Sequence, residues 1–214
     1  MTTEIATLRA DLAAAARSLA AGGAVHGTAG NLSARAGDTI AVTGTGLVLA
    51  EATPEDITLV ALDGTRLEGE RRPTSEIGIH LGVYRAGDAQ AVVHAHSATT
   101  VAFTLVADEL PVVHYQQLML GGAIPVVPFA PFGSGELAEA TLRGLHGHQA
   151  VLMAHHGAVA VGQSLAAAME NLALLDWLCR IYLDAAAVGV PRRLGPADLR
   201  AVVEQAVRIG YGNP

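Results

Sequence analysis

The chain has 214 residues, a mass of 21.9 kDa and a formal charge of −7, with 51% hydrophobic and 15% charged residues. That size and apolar content support one large domain with a buried core, expected over residues 1–214. The acidic balance without basic clusters argues against a nucleic-acid partner, and no stretch reaches the ~20 uninterrupted apolar residues of a membrane span. All 13 basic residues are arginine. A mechanism needing a Schiff-base lysine, a phosphate-loop lysine or a lysine-anchored cofactor is therefore excluded. The N-terminal stretch carries acids where a secretory signal would carry a basic patch, and the single Cys179 suits a reducing cytoplasm, so a cytoplasmic protein is expected. Cys179 sits in an apolar helical pattern and reads as a packing residue.

In chain order, Ile5, Leu8, Leu12, Ala15 and Leu19 recur at helical spacing over residues 3–21, stopped by Gly22-Gly23. Gly27-Thr28-Ala29-Gly30-Asn31-Leu32-Ser33 combines two glycines with short polar side chains. It fits either an anion-binding turn or an ordinary tight loop. Strands are expected at Thr39–Thr43 and Ile57–Leu62, the first closed by Gly44-Thr45-Gly46. Asp63-Gly64 signals a type I′ hairpin returning through Thr65–Leu67. Thr74 and Ser75 read as N-caps of a helix carrying Ile77, His80, Leu81 and Tyr84, with Glu76 in its first turn. There Glu76 either complements the macrodipole or sits in an anion-attracting corner.

Ala91-Val92-Val93 reads as a strand ending in His94-Ala95-His96, whose two imidazoles share one face because strand side chains alternate. A short helix through Phe103 to Ala107, an extended Pro111–Tyr115 and an edge strand Val126–Phe129 follow. Phe132-Gly133-Ser134-Gly135-Glu136 leads a helix to about Gly144. Strand Ala150–Ala154 runs into His155-His156-Gly157, and a strand over Ala158–Val161 follows. Ser164 caps a long helix towards Ala187, and Pro196–Arg208 forms the last helix. The economical architecture is one three-layer α/β domain.

Two strand ends thus deliver histidines. A catalytic zinc takes three protein ligands and keeps a position open, so His94 and His96 with one of His155 or His156 would suffice. Neighbouring strand residues face opposite ways, so only one of the second pair can join. With polar glycine corners and Glu76 beside them, the implied substrate is a small phosphorylated carbonyl compound. A metal would polarise its carbonyl while a carboxylate moves a proton.

The segments 27–33, Thr45-Gly46, Thr74-Ser75-Glu76, His94-Ala95-His96 and His156-Gly157 resemble, in that order, the motifs of the class II aldolase/adducin superfamily. The likeness is greatest to its L-fuculose-1-phosphate aldolase branch. It implies an α/β/α sandwich around a mainly antiparallel sheet, assembled as a C4 homotetramer with active sites between subunits. It makes His94, His96 and His156 the zinc ligands and Glu76 the catalytic acid/base. Thr28, Gly30, Asn31, Thr45, Gly46, Thr74 and Ser75 become the positions that bind the phosphate and the dihydroxyacetone part. Tyr115 corresponds to a tyrosine that reaches a neighbouring subunit's site and handles the aldehyde oxygen, while Phe132 and Tyr211 match positions at the aldehyde end. The activity implied is metal-dependent, reversible cleavage of a phosphorylated ketose, through a zinc-stabilised enediolate, to dihydroxyacetone phosphate and an aldehyde. L-Fuculose 1-phosphate and a 5-deoxypentulose 1-phosphate are the candidate substrates. The same metal site serves dehydratases acting on methylthioribulose phosphate and decarboxylases of sugar-acid phosphates. A non-catalytic, adducin-like association module would be expected to lose the histidines.

Overall fold

The structure is a computed structural model that describes residues 2–210; Tyr211, matched above to the aldehyde end, lies outside them. A helix, α1 (Thr2–Ala21), precedes strands β1 (Asn31–Ala36), β2 (Thr39–Thr43), β3 (Ile57–Ala61) and β4 (Arg66–Glu68). Helix α2 (Ile77–Ala86), strand β5 (Ala91–Ala95), helix α3 (Ala98–Thr104) and a two-residue strand β6 (Glu109–Leu110) follow. A 3₁₀ helix spans Tyr115–Leu120. The chain continues through β7 (Ile124–Val127), α4 (Gly135–Leu145), β8 (Ala150–Met153), β9 (Gly157–Gly162), α5 (Leu165–Ala186) and α6 (Pro196–Ile209).

The nine strands form one sheet in the order β4-β3-β2-β1-β5-β9-β8-β7-β6, antiparallel at every pairing except β7 with β8. Strand alternation decides what each face buries. Leu32, Ala41, Leu59, Val93, Leu152 and Ala160 face the layer of α1, α3 and α5, joined by Leu12, Phe103, Leu175 and Leu178. Ile40, Val42, Val60, Val92, Val151 and Val159 face α2 and α4, joined by Ile79, Tyr84 and Leu137. Each fully buried Leu or Phe contributes ~1.5–3 kcal/mol over an exposed one, so both layers are held by apolar burial. The expected three-layer sandwich around a mainly antiparallel sheet is the architecture observed. Cys179 is fully buried in the α5 layer, where desolvation and then Asp176 push its thiol well above the ordinary range. Among the described residues, no helix is long and apolar enough to cross a membrane.

Local details differ from expectation for identifiable reasons. The Asp63-Gly64 hairpin forms, but only Gly64 has positive φ (95°), so it is not type I′. A turn from Ala61 to Gly64 with a left-handed glycine closes it, braced by Asp63 accepting from the Thr65 amide. Strand β7 is not an edge. The Val126 amide donates to the Asp108 carbonyl on the β6 side, and Pro128, the proline of the expected strand, lies just past the end of β7. The extended piece ends at His114, whose Nδ1 accepts from the Gln116 amide and starts the 3₁₀ helix over Tyr115–Leu120.

Candidate active site

Antiparallel pairing gathers the polar corners at one end of the sheet. Asn31, at the start of β1, lies opposite His94 near the end of β5, and Ala95 lies opposite Ala158 near the start of β9. Strand β2 ends at the same place: the Leu32 amide donates to Thr43 Oγ1. Beyond it, the Thr45 amide donates to the Arg72 carbonyl and the Thr74 amide to the Thr43 carbonyl, stitching the Gly44–Gly46 corner to the entry of α2. Thr28, Thr45, Gly46 and Ser75 are exposed around this end, whereas Thr74 is buried. Gly30 has a geometric reason to lack a side chain. Its φ is +88°, and a Cβ there would sit 2.7 Å from Val25 Cγ1 and 3.0 Å from the His94 carbonyl oxygen.

Asn31 and Ser33 belong to β1 rather than to a turn, so both point into the α2 layer as His94 does. Glu76, not Thr74 or Ser75, occupies the N-cap of α2, and it makes no capping bond there. Thr74 Oγ1 instead accepts from the Glu76 amide at 3.3 Å, and the Glu76 carboxylate turns to the histidines. Its Oε2 lies 3.1 Å from His94 Nε2 and its Oε1 3.3 Å from His156 Nε2, while His94 Nε2 and His96 Nε2 are 2.7 Å apart. The three rings are 4.6–5.0 Å apart, centre to centre. His94 Nδ1 donates to the Ala158 carbonyl at 2.9 Å, which fixes its tautomer and leaves the Nε2 lone pair facing the cluster.

The second histidine pair resolves for a reason other than strand alternation. Residues 154–156 form the turn between β8 and β9, closed by the His156 amide donating to the Met153 carbonyl. His155 takes φ +57° at the turn's third position and stays exposed, its ring 6.3 Å from Phe129. His156 then enters the cluster, and a Cβ at the following Gly157 would collide with the Ala95 carbonyl oxygen.

The donor set fits a divalent metal. One ligand atom from each of Glu76, His94, His96 and His156 can be chosen so that all lie within 4.8 Å of one another. Glu76 Oε1 is buried yet accepts no hydrogen bond, an orphaned acceptor that suits a cation held by the imidazoles. Burial opposes the charge on Glu76, but the hydrogen bond and charge of His94, then Asn31 and His156, outweigh it and hold the carboxyl far below its ordinary value. Burial, then His94 and the other imidazole's charge, drives His96 down to about 3; His156 is likewise lowered, by burial and then His94. An imidazole with a lowered pKa and an ionised carboxylate are the forms in which such groups bind metal.

The predicted residues divide into those that converge and those that do not. Glu76, His94, His96, His156 and Asn31 meet, with Thr74 against Glu76. Ser75 stays at the rim, where its carbonyl packs on Gly133, beside the exposed Phe132. Tyr115 is elsewhere, half-exposed, its ring 4.6 Å from His114. It lines a groove of about 780 Å³ with Met119 and residues Val203 and Val207 of α6. Gln117 faces inward and holds the Leu110 and Pro111 carbonyls and the Val113 amide, so of the two glutamines beside Tyr115 only Gln116 reaches this groove. Sequence reading missed His80 as a site residue. Its place on the buried face of α2 resembles that of an apolar residue, and only its coupling to Asn31 at 2.6 Å reveals it.

The family model described as Class II Aldolase and Adducin N-terminal domain matches residues 10–183. The chain belongs to the class II aldolase/adducin superfamily. It is 31% identical to the 5-deoxy-D-ribulose 1-phosphate aldolase of Bacillus thuringiensis serovar kurstaki over 207 residues, 95% of this chain and 96% of that enzyme. Identity is 34% over 200 residues to the 5-methylthioribulose-1-phosphate/5-deoxyribulose-1-phosphate aldolase of Rhodospirillum rubrum, covering 92% and 90%. The fold superposes on a solved L-fuculose 1-phosphate aldolase with a TM-score of 0.88 at 29% identity, covering 93% of this chain and 95% of that one.

Proposed function

We propose that this class II aldolase family member cleaves a 1-phosphorylated ketose reversibly to dihydroxyacetone phosphate and an aldehyde. The observation that carries this reading is the Glu76 carboxylate, buried and ionised, with one oxygen unpaired among three converging imidazoles. His94, His96 and His156 would hold the metal, and three nitrogen donors suit zinc. Such an ion, when bound, supplies the Lewis acidity that draws electrons towards a ketose carbonyl. The chain's own groups do the rest. Exposed Thr28, Thr45 and Ser75, with the amides of Gly30 and Gly46, hold the phosphate end. In the condensation direction the Glu76 carboxylate takes a proton from the dihydroxyacetone carbon while the Tyr115 hydroxyl gives one to the aldehyde oxygen. Solvent carries the proton from Glu76 back to Tyr115, and cleavage runs the same transfers in reverse.

The Tyr115 ring packs on His114 and lines a groove with α6 rather than with the described residues of the cluster, which supports a site shared between copies. The groove beside Tyr115, with exposed Met119, Val203 and Val207, supplies an apolar surface for a neighbour, read here as the C4 homotetramer. Phe132 stands in the chain beside Gly133, which packs on Ser75, and its exposed ring would favour an aldehyde whose far end is apolar. The two relatives named for deoxyribulose phosphate favour a 5-deoxypentulose 1-phosphate over L-fuculose 1-phosphate.

A coupled assay for dihydroxyacetone phosphate release from a panel of 1-phosphorylated ketoses tests the chemistry. Release that EDTA abolishes and zinc restores is expected. Metal-loaded protein that releases none from any of them would overturn the aldolase reading in favour of dehydration or decarboxylation. Light scattering tests the assembly, where a mass of one chain would refute the shared site.

A further inference from the structure

A buried line of polar side chains runs from Glu76 into the α2 layer, and no role given above uses it. The Tyr84 hydroxyl lies 2.6 Å from Ser33 Oγ, which lies 2.6 Å from His80 Nδ1. His80 Nε2 lies 2.6 Å from Asn31 Oδ1, and Asn31 Nδ2 donates to Glu76 Oε2 at 2.9 Å. Every member is buried, Ser33 and His80 completely.

The line has only one consistent direction. An ionised carboxylate can only accept, so Asn31 must turn its NH₂ to Glu76 and its Oδ1 to His80. His80 then carries its proton on Nε2 and accepts from the Ser33 hydroxyl at Nδ1, and Ser33 accepts from Tyr84. Burial, and then the charge of His94, pushes the His80 pKa down to about 3, which keeps Nδ1 free to accept.

We propose that His80 is a positioning residue. Through Asn31 it holds Glu76 Oε2 in place and so fixes where Oε1, which has no hydrogen-bond partner, points. This rests on the reading of Glu76 as the proton carrier. Without the His80 Nε2–H, the buried Asn31 Oδ1 loses its partner and only the carboxylate itself holds the amide. The amide is then free to shift towards other donors and to release the carboxylate from its fixed orientation. The commitment also changes what Asn31 can do for a substrate. With Oδ1 and one N–H engaged, a single N–H remains for any ligand.

The first test is a long-range proton–nitrogen NMR spectrum of the full-length protein with labelled histidine. His80 should appear as the neutral Nε2–H tautomer at neutral pH; the Nδ1–H tautomer or an imidazolium would overturn the relay. The second compares two variants. His80→Leu should lower kcat ~10–100-fold, the range typical when a group supporting a site residue is lost, with KM and bound metal within about twofold of the parent. Deuterium exchange from solvent into dihydroxyacetone phosphate should fall in parallel. His80→Gln, whose amide both donates and accepts, should recover most of that loss. A leucine variant as fast as the parent, a glutamine variant no better than leucine, or a change confined to KM would each refute the positioning role. Should the variants fail to fold, the spectrum of the parent still decides the direction of the line. A parent inactive on every ketose phosphate would instead count against the Glu76 reading and leave the nitrogen spectrum to judge the relay.

Discussion

Replacing Glu76 with glutamine should lower carbon–carbon cleavage by ~10²–10⁴-fold, the range contributed by a positioned acid/base. The change is nearly isosteric, and the glutamine oxygen can still accept from Asn31 Nδ2 as Glu76 Oε2 does at 2.9 Å. What it removes is the unpaired Oε1, the only carboxylate oxygen in the cluster that accepts no hydrogen bond. The NH₂ that replaces it is too weak an acid and too weak a base to move a proton at any useful pH, so the carbon on the dihydroxyacetone side would have no partner for its proton. Because the three imidazoles remain, bound metal should fall far less than activity. Paired measurement of kcat, bound metal and deuterium exchange into dihydroxyacetone phosphate checks this. A variant within about tenfold of the parent, still holding its metal, would assign proton transfer to another group.

How far the sequence revealed this site depended on whether local pattern or tertiary contact positioned each residue. The His94-Ala95-His96 alternation was readable because strand geometry alone puts both imidazoles on one face. The architecture was readable because apolar runs and glycine stops lie at regular intervals. The strand placement of Asn31 and Ser33 was not, because their glycine-flanked polar segment resembles a loop. Pairing of β1 with β5, which sets Asn31 opposite His94, makes it a strand. Glu76 carries the usual chemistry of a helix's first turn, yet it makes no capping bond, since the imidazoles of two distant strand ends compete for it. Tyr115 was visible as a residue but not as a position: the 3₁₀ helix that presents it depends on His114 capping the Gln116 amide and on Gln117 anchoring the preceding loop. No periodicity encodes those contacts.

Exchanging the two adjacent histidines for residues without an imidazole should have opposite consequences. His156→Ala should cost more than ~100-fold in metal affinity, beyond what is typical for groups that merely support a ligand, and activity should fall with it. It would leave two imidazoles and a carboxylate where three imidazoles and a carboxylate converge. At the neighbouring position, His155→Gly should keep metal and most activity. The side chain there is exposed, its φ of +57° is costly for a residue bearing a Cβ, and the amide bond it donates to Thr104 Oγ1 does not depend on the side chain. Glycine relieves ~1 kcal/mol of left-handed strain, while its greater freedom in the unfolded chain takes back part of that, so the melting temperature should hold or rise slightly. Bound metal per chain and thermal unfolding, measured on both variants, separate the two roles. Loss of metal in His155→Gly would mean that the turn needs this imidazole to aim His156. Retention of metal in His156→Ala would mean that the ligand set closes without it, and either result would redraw the centre.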